Sequence, residues 1–251
     1  MGGYWLLFVK RLTFLENYVT VFAQETLGVA ELASMMDLGA VQANSTRMDV
    51  QKHADFAIRY NCKAVFALSA FLPYLVEYRA ANNGKFLVGG TVGFPSGGMS
   101  GPMKEWEARE VRRLGADEVD MVINIGYVLS DMYQEAKDEI RAVKEAIGDI
   151  PLKVIIECHY LNEAQMAKAC EIAIDANAQW IKTGTGWAPT GATLENVALI
   201  KKFVGDAVKI KAAGGVKNLE TIRKMVALGV ERFGLGGSAE TIMNELAATM
   251  K

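Results

Sequence analysis

Eight short apolar runs, spread along most of the chain, constrain what it can fold into more than any other feature. They read ASMMDLGA (33–40), CKAVFAL (62–68), KFLVGGTVGF (85–94), EVDMVINIG (118–126), LKVIIECHY (152–160), WIKTGTG (180–186), AVKIKAAGGV (207–216) and RFGLGGS (232–238). Near-continuous apolarity marks strands covered on both faces, and so a parallel sheet. Stretches of helical period lie between them. STRMDVQKHADFAIRYN, NEAQMAKACEIAIDAN, TLENVALIKKFVG, NLETIRKMVALG and AETIMNELAATM share a polar cap and an apolar stripe, often with a glycine stop. MKEWEAREVRRLGA is predicted to turn Trp106, Val111 and Leu114 to one face, and DMYQEAKDEIRAVKEAIG to run from near Asp131 to Gly148. Eight strand–helix units in 251 residues fit an α/β fold, a single-domain (β/α)8 TIM barrel. An open doubly wound sheet is the alternative, but GxGxxG is absent after the first strand.

Residues 33–251 are assigned to the barrel and residues 1–32 to an N-terminal helical extension. The first apolar run, Tyr4 to Val9, is short and has no basic residue before it. It reads as neither a secretory signal nor a membrane span. Hydrophobic residues make up 51% of the chain, ample for a closed core, and the net charge of −2 argues against a nucleic-acid partner. Cys62, Cys158 and Cys170 form no CxxC pair, so a cytoplasmic location is expected. With His53 and His159 the only histidines, a multi-histidine metal site is nearly excluded. A homodimer is a common outcome for a soluble enzyme.

In a barrel the site lies at the C-terminal ends of the strands. The charged residues picked out of the apolar runs are Asp37, Asp120, Glu157, Lys182 and Lys211. Lys182 and Lys211 fall on strands six and seven, which should be neighbours. Two close ammonium groups disfavour each other's charge, and burial does so too. A lysine neutral at pH 7 is a nucleophile toward carbonyls. The bland alternative is that Lys182 reaches solvent or pairs with a carboxylate. Asp120, on the same strand face as Glu118 and Val122, suits acid–base work beside such an amine, or a plain salt bridge. Glycines end strands seven and eight, where barrels hold phosphate: Gly214 and Gly215, then Gly236, Gly237 and Ser238. Thr185 and Gly186 follow Lys182 and can add to that rim. Glu157 and His159 lack a third metal ligand and are read as hydrogen-bonding residues. The loop GFPSGGMSGP (93–102) is either a plain connection or a substrate contact.

GADEVDMVINIG, LKVIIE, WIKTGTG, KIKAAGGV and RFGLGGS, in that order and at that spacing, resemble the class I deoxyribose-phosphate aldolase family. The resemblance covers residues 33–250 by order of elements. It implies a TIM barrel and a reversible aldol reaction that splits 2-deoxyribose 5-phosphate into acetaldehyde and glyceraldehyde 3-phosphate. It implies Lys182 as the Schiff-base lysine, Lys211 as the lysine that lowers its pKa, Asp120 in the proton relay and Asp37 beside Lys211. Gly186, Gly214, Gly215, Gly237 and Ser238 match phosphate-binding positions, and no metal or organic cofactor is implied. The sequence departs from the pattern at Gly39, where the family has threonine, and at Phe66 and Leu68, where it has cysteine and a polar residue. These departures fall where the acceptor aldehyde is received. Two other readings stay open: a phosphosugar isomerase or epimerase with Glu157 or Asp120 as base, and a non-catalytic phosphometabolite-binding barrel.

Overall fold

A computed structural model describes residues 27–249. The expected extension lies outside the described residues up to position 26. Eight parallel strands close into a barrel in sequence order: β1 (Met36–Ala40), β2 (Ala64–Ala67), β3 (Leu87–Val92), β4 (Glu118–Val122), β5 (Leu152–Ile155), β6 (Trp180–Lys182), β7 (Lys209–Ala213) and β8 (Val230–Leu235). The helices in chain order are α1 (Val29–Ser34), α2 (Arg47–Tyr60), α3 (Leu72–Ala81), α4 (Gly101–Arg113), α5 (Ile125–Leu129), α6 (Tyr133–Ile147), α7 (Glu163–Asp175), α8 (Leu194–Val204), α9 (Leu219–Ala227) and α10 (Ser238–Thr249). Single 3-10 turns follow β2 at Ser69–Phe71 and β5 at Cys158–Tyr160.

Local chemistry explains the helix starts. Thr46 caps α2 and shares a capping box with Asp49, and Asn162 does the same for α7 with Gln165. Thr193 and Asn218 cap α8 and α9 through the backbone N–H of Asn196 and Thr221.

Some boundaries differ from expectation. Strands four, five and six stop at Val122, Ile155 and Lys182, and their glycine- and polar-rich ends are helix or loop. The stretch read as one helix from Asp131 begins at Tyr133, because Asp131 takes a left-handed φ of 56°. A short helix, α5, precedes it. Trp106 faces solvent at 64% exposed, while Lys104, Ala108 and Val111 form the buried face of α4. Lys104 belongs inside because its ammonium meets Glu139 of α6 at 2.8 Å and the Val122 carbonyl at 2.9 Å. Glu139 also accepts from Asn124 N–H at 2.7 Å. This buried pair ties two helices to the end of β4, the strand that carries Asp120.

The barrel interior is packed with side chains, as barrel interiors are. Phe66 of β2 fills the space opposite Gly89 of β3, where a Cβ would stand 2.3 Å from the ring. Register places Asp120 beside Lys153, Ile155 beside Lys182, Lys182 beside Lys211 and Lys211 beside Arg232. With Asp37 of β1 beside Lys211, charges from six strands meet inside the barrel.

Candidate active site

At the C-terminal ends of the strands lies a cavity of about 290 Å³. Its lining includes Lys182, Lys211, Asp37 and Phe66, with a rim of glycines from the loops after β6, β7 and β8. Thr185, Gly186, Gly214, Gly215 and Ser238 all reach it. Gly236, also expected there, lines it, but Gly237 between it and Ser238 does not. Leu68 is also absent from the lining, since β2 ends at Ala67 and Leu68 opens the 3-10 turn. Phe94, in the loop after β3, and Lys217, just past the second glycine pair, line the cavity as well.

Lys182 is 6% exposed, and its ammonium stands 2.8 Å from Asp120 Oδ2. Lys211 reaches the same oxygen at 2.8 Å and Asp37 Oδ2 at 2.7 Å. Two amines on neighbouring strands thus share one carboxylate oxygen. Phe66 lies under Lys211, with the ammonium 3.9 Å from its ring centre. The bland expectation of a carboxylate pair and the sharper one of two adjacent lysines describe the same atoms.

Burial is the main influence on Lys182 and lowers its pKa to about 8; the Asp120 carboxylate opposes this and the Lys211 charge adds to it. The same burial acts on Lys211, but Asp120 and Asp37 together outweigh it and hold this amine above its ordinary value. Asp120 is buried, which disfavours its charge, yet Lys182, Lys211 and Lys153 hold its carboxyl well below the usual range. Asp37 behaves alike, held down by Lys211 and Arg232. The two lysines are therefore pushed apart, the nearer one toward the free amine and the other toward the ammonium. Pairs of groups driven in opposite directions mark acid–base sites.

The picked-out charges stop one layer short of the observed cluster. Beneath the lysine pair, Lys153 approaches Glu118 at 2.9 Å and Asp120 Oδ1 at 3.3 Å. Arg232 binds Glu118 at 2.7 Å and Asp37 through its Nε at 2.6 Å. Lys153 sits inside LKVIIE and Arg232 opens RFGLGGS, each at an alternate position from an apolar neighbour. That period of two was the available signal.

Glu157 and Asp120 do not line the cavity. Glu157 is buried under the loop after β6 and bonded to Thr185, and His159 bonds Thr190 at 2.8 Å near the surface. Neither carboxylate reaches the cavity as a free base would.

Comparison with known proteins places the family and the fold. A family model described as DeoC/LacD family aldolase matches residues 32–239. A deoxyribose-phosphate aldolase of Klebsiella pneumoniae is 46% identical over 212 residues, covering 83% of this chain and 84% of its own. Among solved structures, the aldolase QR15 superposes with a TM-score of 0.81 at 31% identity, over 88% of this chain and 97% of its own. A tetrameric deoxyribose phosphate aldolase from Aeropyrum pernix shares the fold, with a TM-score of 0.82 at 20% identity over 93% and 98% of the two chains.

Proposed function

This chain belongs to the DeoC/LacD aldolase family, and from that premise we propose that it cleaves and forms 2-deoxyribose 5-phosphate, or a close analogue, through an imine on Lys182. It is an aldolase, and so a lyase. The observation that carries the mechanism is the buried amine of Lys182, open to the cavity and bonded to the carboxylate oxygen that also holds Lys211.

In the cleavage direction the neutral Lys182 amine attacks the aldehyde carbon of the open-chain sugar. At a pKa of about 8, roughly one amine in ten is neutral at pH 7, against fewer than one in a thousand for an ordinary lysine. Loss of water from the carbinolamine gives the iminium. The C3 hydroxyl then gives up its proton, the C2–C3 bond breaks, its electron pair becomes the C1–C2 double bond of an enamine, and the C=N π pair moves to nitrogen. Glyceraldehyde 3-phosphate leaves. Protonation of the enamine carbon and hydrolysis by one water release acetaldehyde and restore the amine. Lys211 lines the cavity and Asp120 lies behind it, so protons pass at the Lys211–Asp120 pair. Gly186, Gly214, Gly215, Gly236 and Ser238 offer backbone and the start of α10 to the phosphate, and Lys217 supplies a charge beside them. No metal or organic cofactor enters these steps, because the imine itself accepts the electron pair.

The test is reductive trapping. Acetaldehyde and borohydride should leave an ethyl group on Lys182, located by mass spectrometry. A folded protein with no modified lysine would end the imine reading.

Lys211→Leu gives a second expectation. Without that neighbouring charge, and with Asp120 freed to bind Lys182 more closely, the Lys182 pKa rises. The acid limb of kcat/KM, which should climb through about pH 8 in the wild type, moves to higher pH and the rate falls. An unchanged limb would remove Lys211 from the control of the nucleophile.

Among the described residues no helix is long and apolar enough to cross a membrane. The cysteines Cys62, Cys158 and Cys170 are free and buried, in keeping with a cytoplasmic enzyme. A homodimer is the assembly proposed.

A further inference from the structure

Glu157 stands where β5 ends, in an unusual backbone state. Its φ of 48° and ψ of 68° are left-handed, a region that non-glycine residues seldom enter. The residue is buried, at 2% exposure. Strain held at the edge of a site calls for a reason.

The reason is a chain of contacts running away from Glu157 over the cavity. The carboxylate accepts from the Thr185 backbone N–H, at 3.1 Å to Oε2, and from the Thr185 hydroxyl. The same hydroxyl oxygen accepts from the Trp187 N–H at 3.0 Å. The Trp187 indole N–H donates to the Val41 carbonyl at 3.0 Å, across the mouth of the barrel. Its ring stands edge-on to Phe94, with centres 6.2 Å apart. Val41, Phe94, Thr185 and Gly186 line the cavity; Glu157 does not. Gly184 completes the fit, since a Cβ there would lie 2.7 Å from Glu157 Oε1. The loop packs directly on the carboxylate.

We propose that Glu157 is a positioning residue: through Thr185 it fixes the loop after β6 and seats Trp187 against Val41 and Phe94, and so sets the cavity wall beside Gly186. Loops from β1, β3 and β6 are thereby locked into one rim from a point beneath them. The effect belongs to binding at the glycine-rich end and not to bond breaking, because the contacts run from Glu157 to the rim. The kinetic readout rests on the aldolase reading; the structural readout does not.

The experiment labels the full chain with 5-fluorotryptophan and follows fluorine NMR, with Trp187→Phe assigning the resonance. Glu157→Gln removes the charge and leaves a single oxygen to accept from the two Thr185 donors, with an amide donor in place of the second. The Trp187 signal should shift or broaden while those of Trp106 and Trp180 stay in place. KM for 2-deoxyribose 5-phosphate should rise roughly tenfold, with kcat within about threefold of wild type. Thr185→Val should reproduce both changes, and Thr185→Ser, which keeps the hydroxyl, should restore both. This valine and serine pair decides the matter if Glu157→Gln fails to fold. An unmoved Trp187 resonance, or a fall in kcat at unchanged KM, overturns the assignment. If the wild type turns over no 2-deoxyribose 5-phosphate, the substrate reading fails and the fluorine spectra still decide the role of Glu157.

Discussion

Lys182→Leu should abolish turnover, by roughly four orders of magnitude or more, and leave the fold intact. The loss is that large because on the proposed mechanism the nucleophile itself is gone, and its neighbour Lys211 is held above its ordinary value as an ammonium. The fold survives because Asp120 keeps Lys211 at 2.8 Å and Lys153 at 3.3 Å, so no buried charge is left alone. Leucine also suits the site, which already holds the aliphatic stem of a lysine. The measurements are steady-state turnover and reductive trapping, beside circular dichroism and a melting curve. Near-wild-type turnover would place the nucleophile elsewhere. Lost activity together with a lost fold would leave Lys182→Met, closer in shape, as the deciding variant.

Asp120→Asn should have the second largest effect, and it reaches both catalysis and stability. Asparagine keeps the shape and removes the charge that three lysines face. Breaking a buried ion cluster at one partner typically costs about 3–5 kcal/mol, and denaturant unfolding should show a loss of that order. Proton transfer at the Lys211–Asp120 pair is lost with it, lowering kcat by roughly 10²–10⁴-fold. The pH dependence gives the sharper check. Asp120 raises the Lys182 pKa in the wild type, so its removal lets that pKa fall below about 8. The acid limb then moves to lower pH, opposite to the shift expected for Lys211→Leu. Stability follows its own sign. The folded pKa of Asp120 is depressed, so its contribution is present above its unfolded value of 3.8 and is lost as the pH falls below it. The asparagine variant lacks this contribution at neutral pH and should lose less on acidification. A limb that moves upward would refute the electrostatic account of Lys182.

Sequence alone placed the barrel and its centre well because both depend on strong periodic signals. Eight apolar runs mark eight strands, and lysines on the sixth and seventh must then be neighbours, as their pairing in register shows. Helix α3 was not among the helical stretches singled out, since LPYLVEYRAA begins with an apolar residue and a proline and carries little contrast between its faces. Trp106 was misplaced because a large aromatic ring outweighs a lysine in any apolar pattern. Yet Lys104 is the buried residue, through a partner on another helix. Lys153 and Arg232 were passed over for a related reason. A charge in a strand becomes informative only when its partners, up to 195 residues away, are known. The hold of Glu157 on Thr185 was beyond reach altogether, since nothing in ECHY announces a left-handed glutamate.

The layered ion cluster has a consequence for the energetics of carbon–carbon cleavage. Lys153, Lys182, Lys211 and Arg232 bring four positive charges when all are protonated, and Asp37, Glu118 and Asp120 bring three negative ones. The cluster reaches parity when one proton is released, and Lys182, its pKa lowered to about 8, is the group poised to release it. On the proposed mechanism an iminium on Lys182 restores the odd positive charge, which it can lose as its N–H proton, giving the neutral imine, or in the forward chemistry. Breaking the bond to form the enamine is the forward step that cancels it. On that mechanism the barrel floor acts as a counterweight, disfavouring the covalent cation relative to the neutral enamine and so assisting the bond-breaking step between them.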